Sequence, residues 1–480
     1  MSTPPLPPAY DASADGSFRA LPLAPALLAN LDELGYRVMT PIQAASLPLG
    51  LAGHDLLAQA KTGSGKTAAF GLVLLANLVG KSGQRGTDVQ ALVLCPTREL
   101  ADQVAAELRR LARAEENLKI LVLCGGSAMR AQLESLRHGA EIVVGTPGRV
   151  LDHLGRGTLR LDTLRTLVLD EADRMLDMGF HADMEKVAEA CPSARQTLLF
   201  SATYPPQIVE LGRRFLREPR EVRLFETHAP TKIRQYFHQI AEHERHEAVV
   251  RLLAEHRPER SLAFCNTRQS CRDLLEHLQG RGLVALALHG ELEQVERDQV
   301  LIQFAHRSCS VLVATDVAAR GLDIAELEAV INVELSPDPE QHLHRIGRTG
   351  RVEAEGLALS LASARESTKI GRIEEAAGHP LEWRELRPLA RDARLALVPP
   401  MVTLQLQGGR KEKLRAGDVL GALTGEAGLR AEDVGKITVN EYSTYVAVAR
   451  ASARKALEAL THGKVKGRSV KVRLLTPQSR

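Results

Sequence analysis

Across residues 20–218, short apolar runs alternate with stretches whose apolar residues fall at helical spacing. The runs 55–60, 89–96, 142–147, 165–173 and 196–203 read as strands, and ELADQVAAELRRLA over 99–112 reads as an amphipathic helix. Strand–helix alternation at this period predicts a mostly parallel sheet covered on both faces. The pattern breaks near LREPREVRLFETHAPTK (216–232) and then restarts, with strands expected over 261–267, 284–290, 311–316 and 329–337 and a helix over 269–279. This second parallel-sheet domain ends near 375, and 379–400 reads as a linker with some ordered anchoring. From 401 the period changes. VTLQLQ, a helix over about 415–425, KITVNEYSTYVAVAR (436–450), a helix over 451–461 and SVKVRLL (469–475) give β-α-β-β-α-β, the split βαβ layout of RNA-recognition folds. The fold class expected is therefore α/β, two tandem parallel-sheet domains followed by a small α+β domain.

A length of 480 residues allows two or three domains, each with its own core. No run of 18 or more apolar residues occurs, which argues against a membrane-spanning helix, and the Pro/Ser/Asp-rich first twenty residues do not read as a secretory signal. The six cysteines are widely spaced with no CxxC pair, a pattern of reduced thiols in a cytoplasmic protein rather than a disulfide frame or zinc site. The net charge of +3 is unevenly spread. Residues 401–480 hold 15 Lys and Arg against 7 Asp and Glu, while the rest hold 47 against 52. A basic module on a slightly acidic body points to a polyanionic partner for the tail.

AKTGSGKT (60–67) follows one predicted strand and opens a good helix. A glycine-rich turn there aims backbone N–H groups at phosphate oxygens, and the helix N-terminus adds its dipole. Lys66 would reach the β/γ-phosphates of ATP and Thr67 would ligate Mg2+. Ala60 stands where the general P-loop pattern has Gly, leaving the GSGKT core intact. VLDEADRMLD (168–177) supplies the other half: a strand delivers Asp170 and Glu171 at its carboxyl end, where open sheets bind ligands. Asp170 would hold the Mg2+ shell, partly through water, and Glu171 would orient or deprotonate the attacking water.

With these motifs in place, residues 18–375 resemble the DEAD-box RNA helicases, whose fold is a pair of RecA-like domains. The resemblance implies an ATP-binding helicase domain over 18–218, a second RecA-like domain over 231–375, a linker over 376–400 and an RNA-recognition-like domain over 401–480. LGYRVMTPIQ (34–43) is similar to the family's adenine-reading segment, so Gln43 would bond the adenine edge and Phe18 would pack on the base. By the same resemblance Thr62, Gly63, Ser64, Gly65, Lys66 and Thr67 bind the nucleotide, and Asp323 lies near the ribose. RNA-backbone contacts are implied for Pro96, Thr97 and Arg98 of PTREL, for Gly126, for Thr146 and Arg149 of TPGR, for Thr267 and Arg268, and for Thr315. Ser201 and Thr203 of SAT, with His344, would couple hydrolysis to strand separation. In HRIGRTGR (344–351), Arg348 and Arg351 would serve the γ-phosphate, Arg351 as the arginine finger. Departures from the family pattern are Leu343 for the usual Val, Val295 for a common Arg, and Leu262–Ala263 for Ile-Val. The P-loop and carboxylates lie in one domain and the arginines in the other. The resemblance therefore implies closure by ATP and RNA together, RNA-stimulated hydrolysis, and local strand separation without base reading.

The tail is where specificity would reside. A recognition fold of this kind normally stacks bases on aromatic residues of its central strands, and here only Tyr442 and Tyr445 are available. Basic residues gather instead at Arg410, Lys411 and Lys413 and at Lys464, Lys466, Arg468, Lys471 and Arg473, an arrangement suited to a folded RNA read by shape and phosphates. Tyr445 joins the expected RNA contacts. MVTLQLQGGRKEKLRAGDVLGALTGEAGL, KITVNEYSTYVAV and GKVKGRSVKVRLL are similar to the RNA-binding domain of the 23S rRNA-directed branch of the family. That implies binding to a hairpin near the peptidyl transferase centre and remodelling of 23S rRNA in large-subunit precursors, by a monomer with no DNA or membrane partner. A broad-specificity RNA helicase of cold-shock or RNA-decay type shares every motor motif and differs only in the tail. A non-enzymatic scaffold would need a broken catalytic set, which this chain does not have.

Overall fold

The computed structural model describes residues 16–60, 63–78, 88–115, 117–223, 233–319, 327–350, 355–388, 397–426 and 428–475. They fall into two units, up to residue 223 and from residue 233 onward. No described helix is long and apolar enough to cross a membrane.

The first unit is built on a sheet of β1 (Leu56–Gln59), β2 (Ala91–Leu94), β3 (Ile120–Leu123), β4 (Ile142–Gly145), β5 (Thr166–Leu169), β6 (Gln196–Ser201) and β7 (Arg220–Arg223). Its order is β3-β4-β2-β5-β6-β1-β7, and every pairing is parallel. β2, β4 and β5 are buried throughout, which is why their sequences run apolar without alternation. One face packs on a core containing Leu27, Phe70 and Val104, the other on Met175, Met184 and Ile208. Two edge strands escape the sequence pattern. ILVL of β3 is too short to tell strand from helix, and REVR of β7 has a single apolar residue.

The second unit repeats the plan with β8 (Ile233–Ile240), β9 (Ser261–Cys265), β10 (Ala285–Leu288), β11 (Val311–Thr315), β12 (Ala329–Asn332) and β13 (Gly356–Ser363), all parallel in the order β10-β11-β9-β12-β13-β8. β8 and β13 are additional to the expected strands. Beyond the helix Ser367–Ala377, the chain lies along β8: Phe237 N donates to the Glu382 carbonyl and Arg384 N to the Phe237 carbonyl, each at 2.8 Å.

The unit ends in an antiparallel sheet of β14 (Met401–Gln407), β15 (Val434–Val439), β16 (Ser443–Ala449) and β17 (Val472–Leu475), ordered β15-β16-β14-β17. The helix Ala416–Gly421, widening into a π turn, and the helix Ala453–His462 cover one face. Leu404, Leu406, Val446 and Val448 meet Val419, Leu423, Ala456 and Leu460 there. Alternation sends Thr403, Tyr445 and Ala447 to the opposite face, yet all are buried. That face is seated on the neighbouring parallel-sheet domain. Ser308 Oγ and Thr403 Oγ1 are 2.8 Å apart, His306 Nε2 is 2.9 Å from Thr438 Oγ1, and Met401 N donates to the Arg307 carbonyl. The approaching chain is tied too, with Ser310 Oγ on the Leu397 carbonyl and Arg450 Nε on the Pro399 carbonyl. Burial lowers His306 to about 4, so the imidazole at this seam is neutral.

Candidate nucleotide and RNA sites

Strand order gathers the motifs. β5, β6 and β1 are neighbours, so the segments leaving their carboxyl ends lie side by side: DEAD at 170–173, SAT at 201–203 and the P-loop. β3, β4 and β2 are likewise neighbours, and their carboxyl ends lead to Gly125–Gly126, TPGR and PTREL. One edge of the first sheet thus carries the segments expected to handle phosphate chemistry beside those expected to contact RNA.

In the first cluster, Gly63 (φ 82°) and Gly65 (φ 92°) take left-handed conformations ahead of the helix Lys66–Leu78. A Cβ on Gly65 would stand 2.6 Å from Gln43 Nε2. Gln43 itself is buried, its Oε1 accepting from Thr40 N at 2.9 Å and its Nε2 donating to the Gly65 carbonyl at 3.1 Å. It clamps the segment 34–43 to the P-loop rather than presenting an open amide. Phe18 differs from expectation more plainly. At 2% exposed, its ring belongs to the first core and meets Tyr36 edge to face, leaving no open ring face for a base in this arrangement. Thr62, Asp323 and Arg351 lie outside the described residues.

Lys66 Nζ, Asp170 Oδ1 and Ser201 Oγ are buried polar atoms with no hydrogen-bond partner among the described residues. Orphaned groups of this kind are costly unless a ligand completes them, and a cation, a carboxylate and a hydroxyl on neighbouring strand ends suit a metal-bound polyphosphate. Burial raises the Asp170 carboxyl to about 6, against the attraction of Lys66. Glu171 sits in the left-handed region (φ 54°), and its Oε2 accepts from Arg174 Nη1 at 2.8 Å in a fully buried ion pair. The sequence reading passed over two residues here. Arg174 holds the expected base in place. Asp173 Oδ2 accepts from Ala202 N (3.2 Å), Thr203 N (2.9 Å) and Thr203 Oγ1 (3.0 Å), fastening SAT to DEAD. The DEAD motif names that aspartate, but only the adjacency of β5 and β6 shows what it grips.

In the second cluster, Thr97 caps the helix Arg98–Leu111 by accepting from Leu100 N, after a buried Pro96. The second unit copies this: Thr267 caps Arg268–Gly280 through Ser270 N. Each cap leaves an arginine at the first helical position, Arg98 near Asp102 and Arg268 paired with Glu291 at 2.9 Å. Thr146 opens the helix Pro147–Gly155, which carries Arg149, and Gly126 is exposed at φ 75°. β10, β11 and β9 are neighbours, so LHG (288–290), Thr315 and Thr267–Arg268 share one edge of the second sheet. Arg345, the arginine of HRIGR not assigned to phosphate, is 1% exposed. It donates to both Asp316 oxygens (2.7 and 2.6 Å), to Asn266 Oδ1 (2.7 Å) and to the Glu334 carbonyl (2.6 Å). It therefore ties the helix Pro339–Ile346, which bears His344 and runs into Arg348, to the segments after β9 and β11. Arg348 is buried and His344 half-buried in the same segment.

In the C-terminal module, the register puts the loops after β14, before β16 and before β17 at one edge of the sheet. Arg410, Lys411 and Lys413 are exposed in the first loop and Lys464, Lys466 and Arg468 in the third, with Lys466 Nζ donating to the Lys413 carbonyl at 2.6 Å. Gly409 must be glycine, since a Cβ there would lie 2.3 Å from the Asn440 carbonyl oxygen. Tyr445 is a correction. It is 3% exposed on the seated sheet face, with its hydroxyl accepting from Gln405 Nε2, so it cannot stack on a base in this arrangement.

Residues 40–211 match the family model "DEAD/DEAH box helicase", 244–353 match "Helicase conserved C-terminal domain", and 403–474 match "DbpA RNA binding domain". The chain is 52% identical over 453 residues to the ATP-dependent RNA helicase DbpA of Escherichia coli, covering 94% of this chain and 98% of that protein. It is 45% identical over 350 residues to the ATP-dependent RNA helicase CshA of Listeria monocytogenes, covering 73% of this chain and 66% of that protein. Among solved structures, S. cerevisiae Dbp5 bound to RNA and ADP BeF3 is similar with a TM-score of 0.70 at 29% identity, over 77% of this chain and 96% of that one.

Proposed function

Because the chain belongs to the DEAD-box family of ATP-dependent RNA helicases and carries a DbpA-type RNA-binding domain, we propose that it remodels 23S rRNA in large-subunit precursors, its module supplying the address. The observation that supports this reading is the exposed basic loop edge of a module whose sheet face is buried. Recognition then falls to the loops, which suit a structured RNA held by its phosphates. A module seated on the motor also presents its RNA at a fixed place, with a higher local concentration than free solution gives. Such a role belongs to the cytoplasm and asks for a single copy of the chain.

In hydrolysis, the P-loop N–H groups and Lys66 bind the β- and γ-phosphates, while Thr67 and Asp170 would hold Mg2+, Asp170 partly through water. The metal, when bound, supplies neutralising charge to the phosphate oxygens. Glu171, fixed by Arg174, orients the attacking water and takes its proton. Arg348 and Arg351 of the second unit are the proposed γ-phosphate partners, and Asp323 the ribose neighbour. Gln43 reads adenine by exchanging its hold on Thr40 for the base edge. Thr97, Arg98, Gly126, Thr146, Arg149, Thr267, Arg268 and Thr315 contact the RNA backbone, and Ser201, Thr203 and His344 couple the two activities. The test compares RNA-stimulated ATP hydrolysis with an rRNA fragment holding the peptidyl transferase hairpin and with unrelated structured RNA of equal length at equal salt. Strong preference for the first, lost on charge reversal of Lys464 and Arg468, is expected. Equal stimulation by both would leave a general RNA helicase.

A further inference from the structure

Gln132 lies on the helix Met129–Arg137, outside the family motifs, yet it is 6% exposed with both ends of its amide hydrogen-bonded. Its Nε2 donates to the Cys124 carbonyl at 2.9 Å, the residue immediately before Gly125–Gly126. Its Oε1 accepts from Arg149 Nη1 at 2.9 Å and from His153 Nε2 at 3.0 Å. Arg149 Nη1 also donates to the Ser127 carbonyl at 3.1 Å, just past the glycine pair. The amide cannot flip, because the Cys124 carbonyl needs a donor and the guanidinium an acceptor. Behind it, His153 is fully buried with its Nδ1 3.0 Å from Thr158 Oγ1, and burial together with Arg149 pushes its pKa below the ordinary value. One side chain therefore joins the turn after β3 to the arginine on the helix after β4.

We propose that Gln132, backed by His153, is a positioning residue for RNA binding: it presets the Gly125–Gly126 turn and the Arg149 guanidinium as one phosphate-gripping surface. The proposal rests on the reading that Arg149 and Gly126 contact the RNA backbone. Two elements from separate strands must reach adjacent phosphates together, and a shared rigid partner removes the ordering cost of aligning them at each binding event. Nucleotide binding, on the other cluster, does not draw on this network.

The experiment measures the RNA concentration for half-maximal ATPase and the KM for ATP, in the full chain, for Gln132→Leu, Gln132→Glu, Arg149→Ala and the double variant Gln132→Leu/Arg149→Ala. Gln132→Leu is expected to raise the RNA half-saturation concentration about tenfold, with the KM for ATP within about twofold of the parent. Gln132→Glu keeps the shape but neutralises Arg149, and is expected to lower the salt slope of RNA binding by about one, as loss of one phosphate contact does. The double variant is expected to lose clearly less than the sum of the two single losses, since Gln132 acts largely through Arg149. Additive losses, or equal losses in RNA and ATP affinity from Gln132→Leu, would overturn the proposal. If Arg149→Ala leaves RNA half-saturation unchanged, the reading of Arg149 itself fails instead.

Discussion

Replacing Asp170 by asparagine should stabilise the first unit while ending ATP hydrolysis, and the size of the gain follows from burial. The carboxyl is enclosed, its Oδ1 has no partner among the described residues, and its pKa rises from 3.8 to about 6 despite Lys66 nearby. The folded state thus binds the proton more tightly than the unfolded one. The protonated form's advantage is complete below pH 3.8 and is lost as pH rises through 6. At pH 7.5 the ionised carboxylate then costs about 3 kcal/mol relative to a neutral group of the same shape, and at pH 5 roughly half of that. Asparagine removes the charge at nearly constant volume, so the variant should gain up to that amount in the absence of nucleotide. Hydrogen exchange followed by mass spectrometry over β5 and β6 reads the opening free energy of this sheet directly, at both pH values. A gain as large at pH 5 as at pH 7.5, or none at either, would refute the assignment of the cost to the buried charge. The trade of stability for a poised ligand group is common at functional sites.

Other outcomes follow from the same geometry. Asp173→Ala removes the acceptor of three hydrogen bonds from Ala202 and Thr203. It should deprotect residues 201–203 in exchange experiments and reduce duplex unwinding far more than ATP binding, at a stability cost of about 2–3 kcal/mol. Gly65→Ala meets Gln43 Nε2 at 2.6 Å and a positive φ, so it should weaken ATP binding in direct titration and lower stability by about 1–3 kcal/mol. At the seam between module and motor, His306 is lowered from 6.5 to about 4. The stability this neutral ring contributes is present above pH 6.5 and is lost as pH falls toward 4. By pH 5 the seam should be weaker by about 2 kcal/mol, seen as faster proteolysis around residue 400, and His306→Gln should abolish that pH dependence. Lys464→Ala with Arg468→Ala should reduce the salt slope of rRNA binding by about two, while Tyr445→Phe should leave RNA affinity unchanged.

Most central elements and the phosphate chemistry were legible in the chain alone. Continuous apolar runs marked the buried central strands, the P-loop and DEAD residues pointed to phosphate chemistry by type and spacing, and SAT, PTREL and HRIGRTGR drew their expected roles from the family resemblance. The chain also showed that the module lacks an aromatic platform and carries basic loops instead. Edge strands such as β7, with one apolar residue, were not legible, because an edge position asks little of its side chains. Adjacency between residues far apart in the chain comes instead from tertiary packing. That Asp173 grips Thr203 depends on β5 lying beside β6, and that Gln132 reaches Arg149 depends on β3 lying beside β4. Gln132 carries no motif, and its amide looks in sequence like any helix-surface glutamine. Phe18 and Tyr445 make the same point from the other side. Resemblance for Phe18 and aromatic character for Tyr445 suggested contacts to a base or to RNA, but a ring is as readily consumed by packing, and only the neighbours that cover it tell the two uses apart. Periodicity reports which face of an element is apolar; which surface covers that face is set by long-range packing, to which a local pattern is blind.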